Sequence, residues 1–182
     1  MTSPVSRRVL LTSSVIAAAS HLAPKASAAE TSTDAHHRPI DVNPKHIDHV
    51  YEVSFTEAEW RERLSEEEFR ILRKNGTEKE KSNPLWKEKR PGFYKCKGCD
   101  LGLYDSEHKI ILKKGWAFFR HSEPDSVLTG IDLFTDYGSS KKETAIEAHC
   151  RRCGSHLGHI LYVKKKILHC INGTSLSFTP LA

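Results

Sequence analysis

The chain has 182 residues, 38% hydrophobic and 28% charged, which fits one soluble globular domain with a short preamble. Its formal net charge is +5, but Arg7, Arg8 and Lys25 belong to a segment expected to be removed, and without them 25 basic residues stand against 23 acidic ones, about +2. That excess is too small to support nucleic acid or a membrane surface as the partner.

The first 28 residues read as an export signal. Ser6-Arg7-Arg8-Val9-Leu10-Leu11 is a twin-arginine pattern, a mildly apolar stretch runs from Val9 to Ala19, and Ala26-Ser27-Ala28 offers a small-residue cleavage site. The apolar stretch is too short and too rich in Ser and Ala for stable membrane insertion. These features predict an exported, periplasmic protein. The twin-arginine route carries folded proteins, so a metal could be loaded before an oxidising compartment reached the thiols. Residues 29–50 are polar, contain His36, His37, Pro39 and Pro44, and read as a linker. The domain proper is expected over 51–182.

Two short helices follow. Thr56-Glu57-Ala58-Glu59 and Ser65-Glu66-Glu67-Glu68 both fit capping boxes, with Phe55 placed to staple onto Trp60 and Leu64 to meet Phe69. Acidic first turns and basic last turns (Arg70, Arg73, Lys74) suit the helix dipole, and Asn75-Gly76 ends the second helix. Trp60, Leu64, Phe69 and Leu72 form the expected buried stripe. Beyond Pro91 short runs at Phe93-Tyr94, 109–112, 116–119, 145–150, 159–163, 167–171 and 175–178 are separated by Gly, Asp, Ser and Lys clusters. Such spacing predicts a mainly β, antiparallel domain.

Cys96-Lys97-Gly98-Cys99 and Cys150-Arg151-Arg152-Cys153 are two C-x-x-C knuckles. A two-residue spacer lets both sulfurs of a knuckle reach one ion, and two knuckles close a tetrahedron suited to structural zinc. Lys95, Lys97, Arg151 and Arg152 offset the negative charge of four thiolates. Disulfides, a lone redox C-x-x-C and a site using His156 or His159 are the competing readings. Two knuckles of matched form favour the four-cysteine site. Closed sites of this kind serve folds of many activities and do not identify the function.

The fifth cysteine, Cys170, lies in Ile167-Leu168-His169-Cys170-Ile171-Asn172-Gly173, with His156, His159, His169 and Asn172 close in sequence. Histidines can supply positive charge for a thiolate and a proton for acid catalysis. A lone strand cysteine is otherwise a small buried hydrophobe. The residues alone leave the two readings evenly balanced.

The string Cys150-Arg151-Arg152-Cys153-Gly154-Ser155-His156-Leu157-Gly158-His159 resembles the second knuckle and active-site segment of the B-type methionine-R-sulfoxide reductases. His169-Cys170-Ile171-Asn172-Gly173-Thr174-Ser175-Leu176-Ser177-Phe178 resembles their catalytic strand, Gly115-Trp116 with Phe119 their Gly-Trp-x-x-Phe segment, and the region from Glu59-Trp60 to Gly76-Thr77-Glu78 their helical lead-in. The resemblance runs in order from about residue 53 to 180. It implies antiparallel sheets of that family's fold (an Mss4-like β-tent), two short N-terminal helices and a structural zinc on Cys96, Cys99, Cys150 and Cys153. It also implies reduction of methionine-R-sulfoxide, free or in proteins: Cys170 attacks, His159 donates a proton, and His156 and Asn172 orient substrate and charge. Trp116, Phe119 and Phe178 are implied to bind substrate.

The chain departs from the family pattern at several points. Lys114 stands where many members carry a resolving cysteine, so Cys170 is expected to be reduced by an external thiol such as a thioredoxin-like protein, without an internal disulfide. Ala117-Phe118 replaces Pro-Ser, Leu168 and His149 replace arginines, and Lys164-Lys165-Lys166 replaces a more acidic loop. A monomer is expected. Two rival functions are a low-activity, zinc-stabilised binding module derived from the family and a zinc-ribbon nucleic-acid binder; export and the near-neutral mature charge oppose the second.

Overall fold

The structure, a computed structural model, describes residues 49–135 and 142–182. The expected signal segment, and all of the expected linker up to residue 48, lie outside the described residues.

Both capping boxes form. Helix α1 spans Glu57–Arg63 behind Thr56, and α2 spans Glu66–Arg73 behind Ser65, each N-cap side chain accepting from the backbone three residues on while that residue's carboxylate returns the bond. Phe55 meets Trp60 edge to face, with ring centroids 5.0 Å apart. Trp60, Leu64, Phe69 and Leu72 are buried together with Ile71. Gly76 N–H donates to the Arg70 carbonyl at 3.1 Å, and Asn75 takes a positive φ of 55°, which closes the end of α2.

Among the described residues nine strands follow: β1 Gly92–Cys96, β2 Gly102–Asp105, β3 Lys109–Ile110, β4 Ala117–Phe119, β5 Val127–Thr135, β6 Lys142–Cys150, β7 His156–Val163, β8 Lys166–Ile171 and β9 Leu176–Pro180. They build a three-stranded sheet in the order β2-β1-β9 and a six-stranded sheet in the order β3-β4-β8-β7-β6-β5, with every pairing antiparallel. The expected mainly β, antiparallel fold with two N-terminal helices is what forms. Each expected run carries a strand, though the 109–112 run ends at Ile110. Strands β2 and β5 have no counterpart in the sequence expectation.

Residues directly paired across an antiparallel ladder share a face. Gly130, Glu147, His159, Cys170 and Phe118 therefore form one row across five strands. The reverse face carries a parallel row of Ala148, Gly158, Ile171 and Ala117, of which Ala148, Ile171 and Ala117 join the hydrophobic core. Phe119 lies on that reverse face with Tyr94 and Tyr104, where the two sheets meet. The far end of the reverse face is apolar and open, with Ile131, Leu133, Ile146, Tyr162 and Ile167 exposed.

Candidate active site

The four knuckle cysteines converge. Cys96 Sγ lies 3.7 Å from Cys153 Sγ and Cys99 Sγ 3.5 Å from Cys150 Sγ, with all four sulfurs within 4.8 Å of one another. A tetrahedral zinc–thiolate site, with metal–sulfur bonds of about 2.3 Å, has sulfur–sulfur edges of roughly 3.8 Å, so this donor set fits zinc in number, softness and size. The knuckles repeat one geometry: Asp100 N–H donates to Cys96 O (2.9 Å), as Gly154 N–H does to Cys150 O (2.8 Å). Both turn residues are left-handed, with φ of 59° and 68°. Each close sulfur pair takes one member from either knuckle, so the cluster ties the end of β1 to the turn between β6 and β7. Contact with Cys150 pushes the Cys96 thiol up and draws Cys153 down.

Beside the cluster lies a cation to which the sequence assigned another task. Arg73, expected among the basic residues that suit the α2 dipole, is buried; Nη1 donates to Cys153 O at 3.1 Å and to Ser155 Oγ at 3.3 Å. Burial draws its pKa down and the thiolates oppose that, Cys153 foremost. The guanidinium also lies over the Trp60 ring, 4.5 Å from its centroid. Arg152 adds a longer bond to Cys99 O at 3.4 Å.

Cys170 is absent from this cluster. It lies on β8, half-buried, paired with His159 of β7 on one side and Phe118 of β4 on the other. A direct antiparallel pair brings Cβ atoms to about 5 Å, so the thiol and the imidazole face one space. His156 lies on the same face because β6 and β7 slip register between Ala148 and His149, pairing His149 with His156 and Ala148 with Gly158. Leu157 is the extra residue of this bulge. Without it, side chains three apart would point to opposite faces. The crossing is tight: a Cβ on Gly158 would stand 2.2 Å from Cys170 O, and its φ is 155°.

Carboxylates stand behind both histidines. His156 Nδ1 hydrogen-bonds Glu147 Oε1 at 2.5 Å, and His159 Nε2 meets Asp132 Oδ2 at 3.2 Å. All four residues are buried, the two imidazoles are 5.2 Å apart between centroids, and His149 Nδ1 lies 3.7 Å from Glu147 Oε2. A half-buried thiol with an imidazole opposite it and carboxylates behind is an arrangement suited to nucleophilic attack assisted by an acid.

The other residues named from sequence fall in different places. Asn172 is buried and its amide fastens backbone: Oδ1 accepts from Glu78 N–H (3.0 Å), while Nδ2 donates to Leu157 O (3.1 Å) and Gly76 O (3.5 Å). Trp116, partly exposed just before β4, donates through Nε1 to Glu78 O at 3.3 Å. Phe119 stacks on Tyr104 at 4.2 Å on the face opposite Cys170, and Phe178 packs at 4.8 Å on Tyr94. The fold thus gathers Cys170, His159 and His156, sets Trp116 and Asn172 at the strand ends beside them, and leaves Phe119 in the aromatic core with Phe178 packed, partly buried, against it.

Glu78 is a residue whose task sequence reasoning missed. Its buried carboxylate accepts from Gly173 N–H (2.7 Å), Thr174 N–H (2.8 Å) and Thr174 Oγ1 (2.6 Å). Burial pushes this carboxyl up, and the three donors pull it back. Glu78 thereby knots the Trp116 loop to the turn after Cys170. No sequence signal marks it beyond the Gly76-Thr77-Glu78 string itself. Asp132 was also missed, since it lies in the strand that was not expected.

Comparison with known proteins agrees with this geometry. Residues 64–180 match the SelR domain. The chain is 34% identical over 133 residues to a peptide methionine sulfoxide reductase MsrB of Agrobacterium fabrum, covering 71% of this chain and 94% of that one. It is 36% identical over 129 residues to an MsrB of Thiobacillus denitrificans, covering 69% and 93%. This chain belongs to the B-type methionine sulfoxide reductase family. A plant relative, peptide methionine sulfoxide reductase B3 of Arabidopsis thaliana, is 35% identical over 131 residues, covering 69% of this chain and 70% of that one. The family's extent includes α2, both knuckles and every strand of the Cys170 row.

Proposed function

We propose that this chain reduces methionine-R-sulfoxide, free or within proteins, with Cys170 as nucleophile and His159 as proton donor. The observation carrying the proposal is their direct pairing across β7 and β8, on a face the zinc-type thiols do not share. The Cys170 thiolate attacks the sulfoxide sulfur while His159 protonates its oxygen. The hydroxyl then passes to Cys170, giving methionine and a sulfenic acid, so the substrate sulfur is reduced by two electrons and the cysteine sulfur oxidised by two. His156, held by Glu147, lends charge beside the oxygen, and the Trp116 indole packs the substrate methyl.

Recycling requires an outside thiol. An external thiol condenses with the sulfenic acid, releasing water and leaving a mixed disulfide. A second thiol then frees Cys170, the exchange expected of a thioredoxin-like protein. The other four cysteines would hold zinc, which supplies a cross-link and no chemistry on the substrate. Export to the periplasm, read from Arg7-Arg8 and Ala26-Ser27-Ala28, and a monomeric state complete the proposal.

The test is turnover of the separate R and S epimers with dithiothreitol, for wild type and Cys170→Ser. Activity confined to the R epimer and lost in the variant supports the reading. A flat result from folded, zinc-loaded protein sinks it and leaves the binding module. Mass spectrometry after one turnover should find Cys170 as sulfenic acid or joined to the added thiol; an intramolecular disulfide at Cys170 defeats the recycling scheme.

A further inference from the structure

Away from Cys170, the 88–90 segment, β1 and β3 enclose a cavity of about 160 Å³ whose walls include Glu88, Lys89, Arg90, Tyr94, Ser106 and Lys109. Lys109 Nζ donates to the carbonyls of Trp86 and Glu88, each at 3.3 Å. An ammonium has three N–H donors, and both of these acceptors are neutral, so one donor remains for the cavity. Burial draws the Lys109 pKa down to about 8 against the pull of Glu88. Tyr94 is fully buried, and its hydroxyl has no hydrogen-bond partner among the described residues. Burial pushes the hydroxyl pKa up, Glu88 adds to that and Arg90 opposes it, so this end of the ring faces the Glu88–Arg90 pair. The other polar groups are already engaged. Arg90 holds the Glu88 carboxylate through Nε (3.0 Å) and Nη2 (2.7 Å), and the N–H groups of Lys89 and Arg90 donate to Oε1 at 2.9 and 3.0 Å. These donors, the Arg90 side chain foremost, hold the Glu88 carboxyl down to about 2. Ser106 Oγ donates to Asp105 Oδ1 at 3.2 Å and accepts from Gly92 N–H at 3.0 Å. Three cations against one carboxylate leave the walls at +2.

We propose that this cavity binds a small divalent oxyanion of the phosphate class, held by the Lys109 ammonium and the Tyr94 hydroxyl, with Lys89 and Arg90 supplying further positive charge. Both inner groups are donors, and a buried donor without an acceptor is costly, so the ligand that suits them only accepts. A charge-assisted bond to the ammonium is the stronger of the two contacts, and the balance of +2 favours a dianion over a monoanion. The anion joins the 88–90 segment, β1 and β3, three stretches that otherwise meet around the cavity. An opposite charge beside Lys109 also restores its preference for the protonated form. The site stands apart from the reductase reading, since Lys109 pairs with Phe119 on the face opposite Cys170.

The test titrates the full, zinc-loaded chain with inorganic phosphate at constant ionic strength, with chloride and acetate as controls. Calorimetry should find saturable binding at a single site with a dissociation constant of about 1 mM or tighter, and weaker binding of acetate. Amide shifts in nitrogen-15 NMR of the wild type should centre on residues 88–94 and 106–110, a readout that needs no variant to fold. Lys109→Met should weaken phosphate at least roughly tenfold, the worth of a hydrogen bond to a charged group. Tyr94→Phe should also weaken it, yet leave the melting temperature without phosphate unchanged or higher, because it deletes a buried O–H that has no partner to lose. Lys165→Gln, at the exposed turn between β7 and β8, should bind as the wild type does. Absence of saturable binding, acetate as tight as phosphate, shifts centred elsewhere, or full affinity in Lys109→Met overturns the site. A lower melting temperature of Tyr94→Phe without phosphate removes the hydroxyl from it and overturns the proposal as stated. Should Lys109→Met fail to fold, the wild-type shifts and Tyr94→Phe decide.

Discussion

His156 and His159 share one face of β7 although three residues separate them, because Leu157 is the extra residue of a bulge against β6. The same bulge sets Gly158 against the backbone of β8, and here the sheet has no spare room. A methyl at Gly158 would stand 2.2 Å from Cys170 O and 3.0 Å from Ile171 Cα, both backbone atoms. Gly158→Ala is expected to cost about 3 kcal/mol or more in stability and most of the turnover. Urea denaturation and the R-sulfoxide assay check it, and a near-native midpoint would mean the strands can part without penalty.

Arg73 gives a second prediction. It is a buried cation beside four sulfurs, bonded to Cys153 O and Ser155 Oγ. Arg73→Met keeps much of the volume and removes the charge, leaving the thiolates without their interior counter-ion. A loss of about 3–5 kcal/mol is expected, since breaking a buried charge partnership leaves the other charge uncompensated. Denaturation at fixed zinc content measures it, and Arg73→Lys should recover only part, having one charge but no fork of donors.

Metal removal gives the third. Dialysis against a strong chelator at mildly acidic pH, or Cys153→Ser, should strip about one equivalent of zinc and lower the melting temperature. Four sulfurs spaced for the ion otherwise face each other as a crowded group of thiols. Metal analysis paired with calorimetry decides this, and an unchanged melt after complete zinc loss would deny the cluster a structural role.

The fourth concerns acid. Burial draws the His169 pKa down to about 4, with His121 adding repulsion. Its Nδ1 lies 3.1 Å from Tyr104 Oη. The unfolded chain binds this proton near pH 6.5 and the folded chain does not, so protonation favours unfolding. Stability from this residue is complete above about pH 6.5 and falls as pH drops toward 4. Discounted for partial exposure, the loss is about 1–2 kcal/mol. His169→Gln should flatten the stability curve over that window, measured by denaturation at a series of pH values.

How much of this could be read beforehand differs by element. The two helices were legible because each carries its start signal within four residues and its stripe within one turn. The knuckles were legible because metal spacing is local. Strand β5 was missed although Ile131 and Leu133 alternate with Gly130 and Asp132; that alternation covers only four residues, and the face holding Gly130 and Asp132 carries no apolar stripe between Leu128 and Phe134. The shared face of His156 and His159 was equally hidden: a bulge depends on the partner strand, which no local pattern reveals. Phe119 was drawn toward the substrate by its motif, yet alternation along β4 turns Phe118 to the thiol and Phe119 to the core.

Strand β8, which carries Cys170, lies in the interior of a six-stranded sheet, with ladders on both sides. Its backbone amides cannot come loose by fraying at an edge, so their exchange with solvent deuterium should follow global opening of the domain. The reactive sulfur consequently has a fixed address. Whatever it acts on must travel to it.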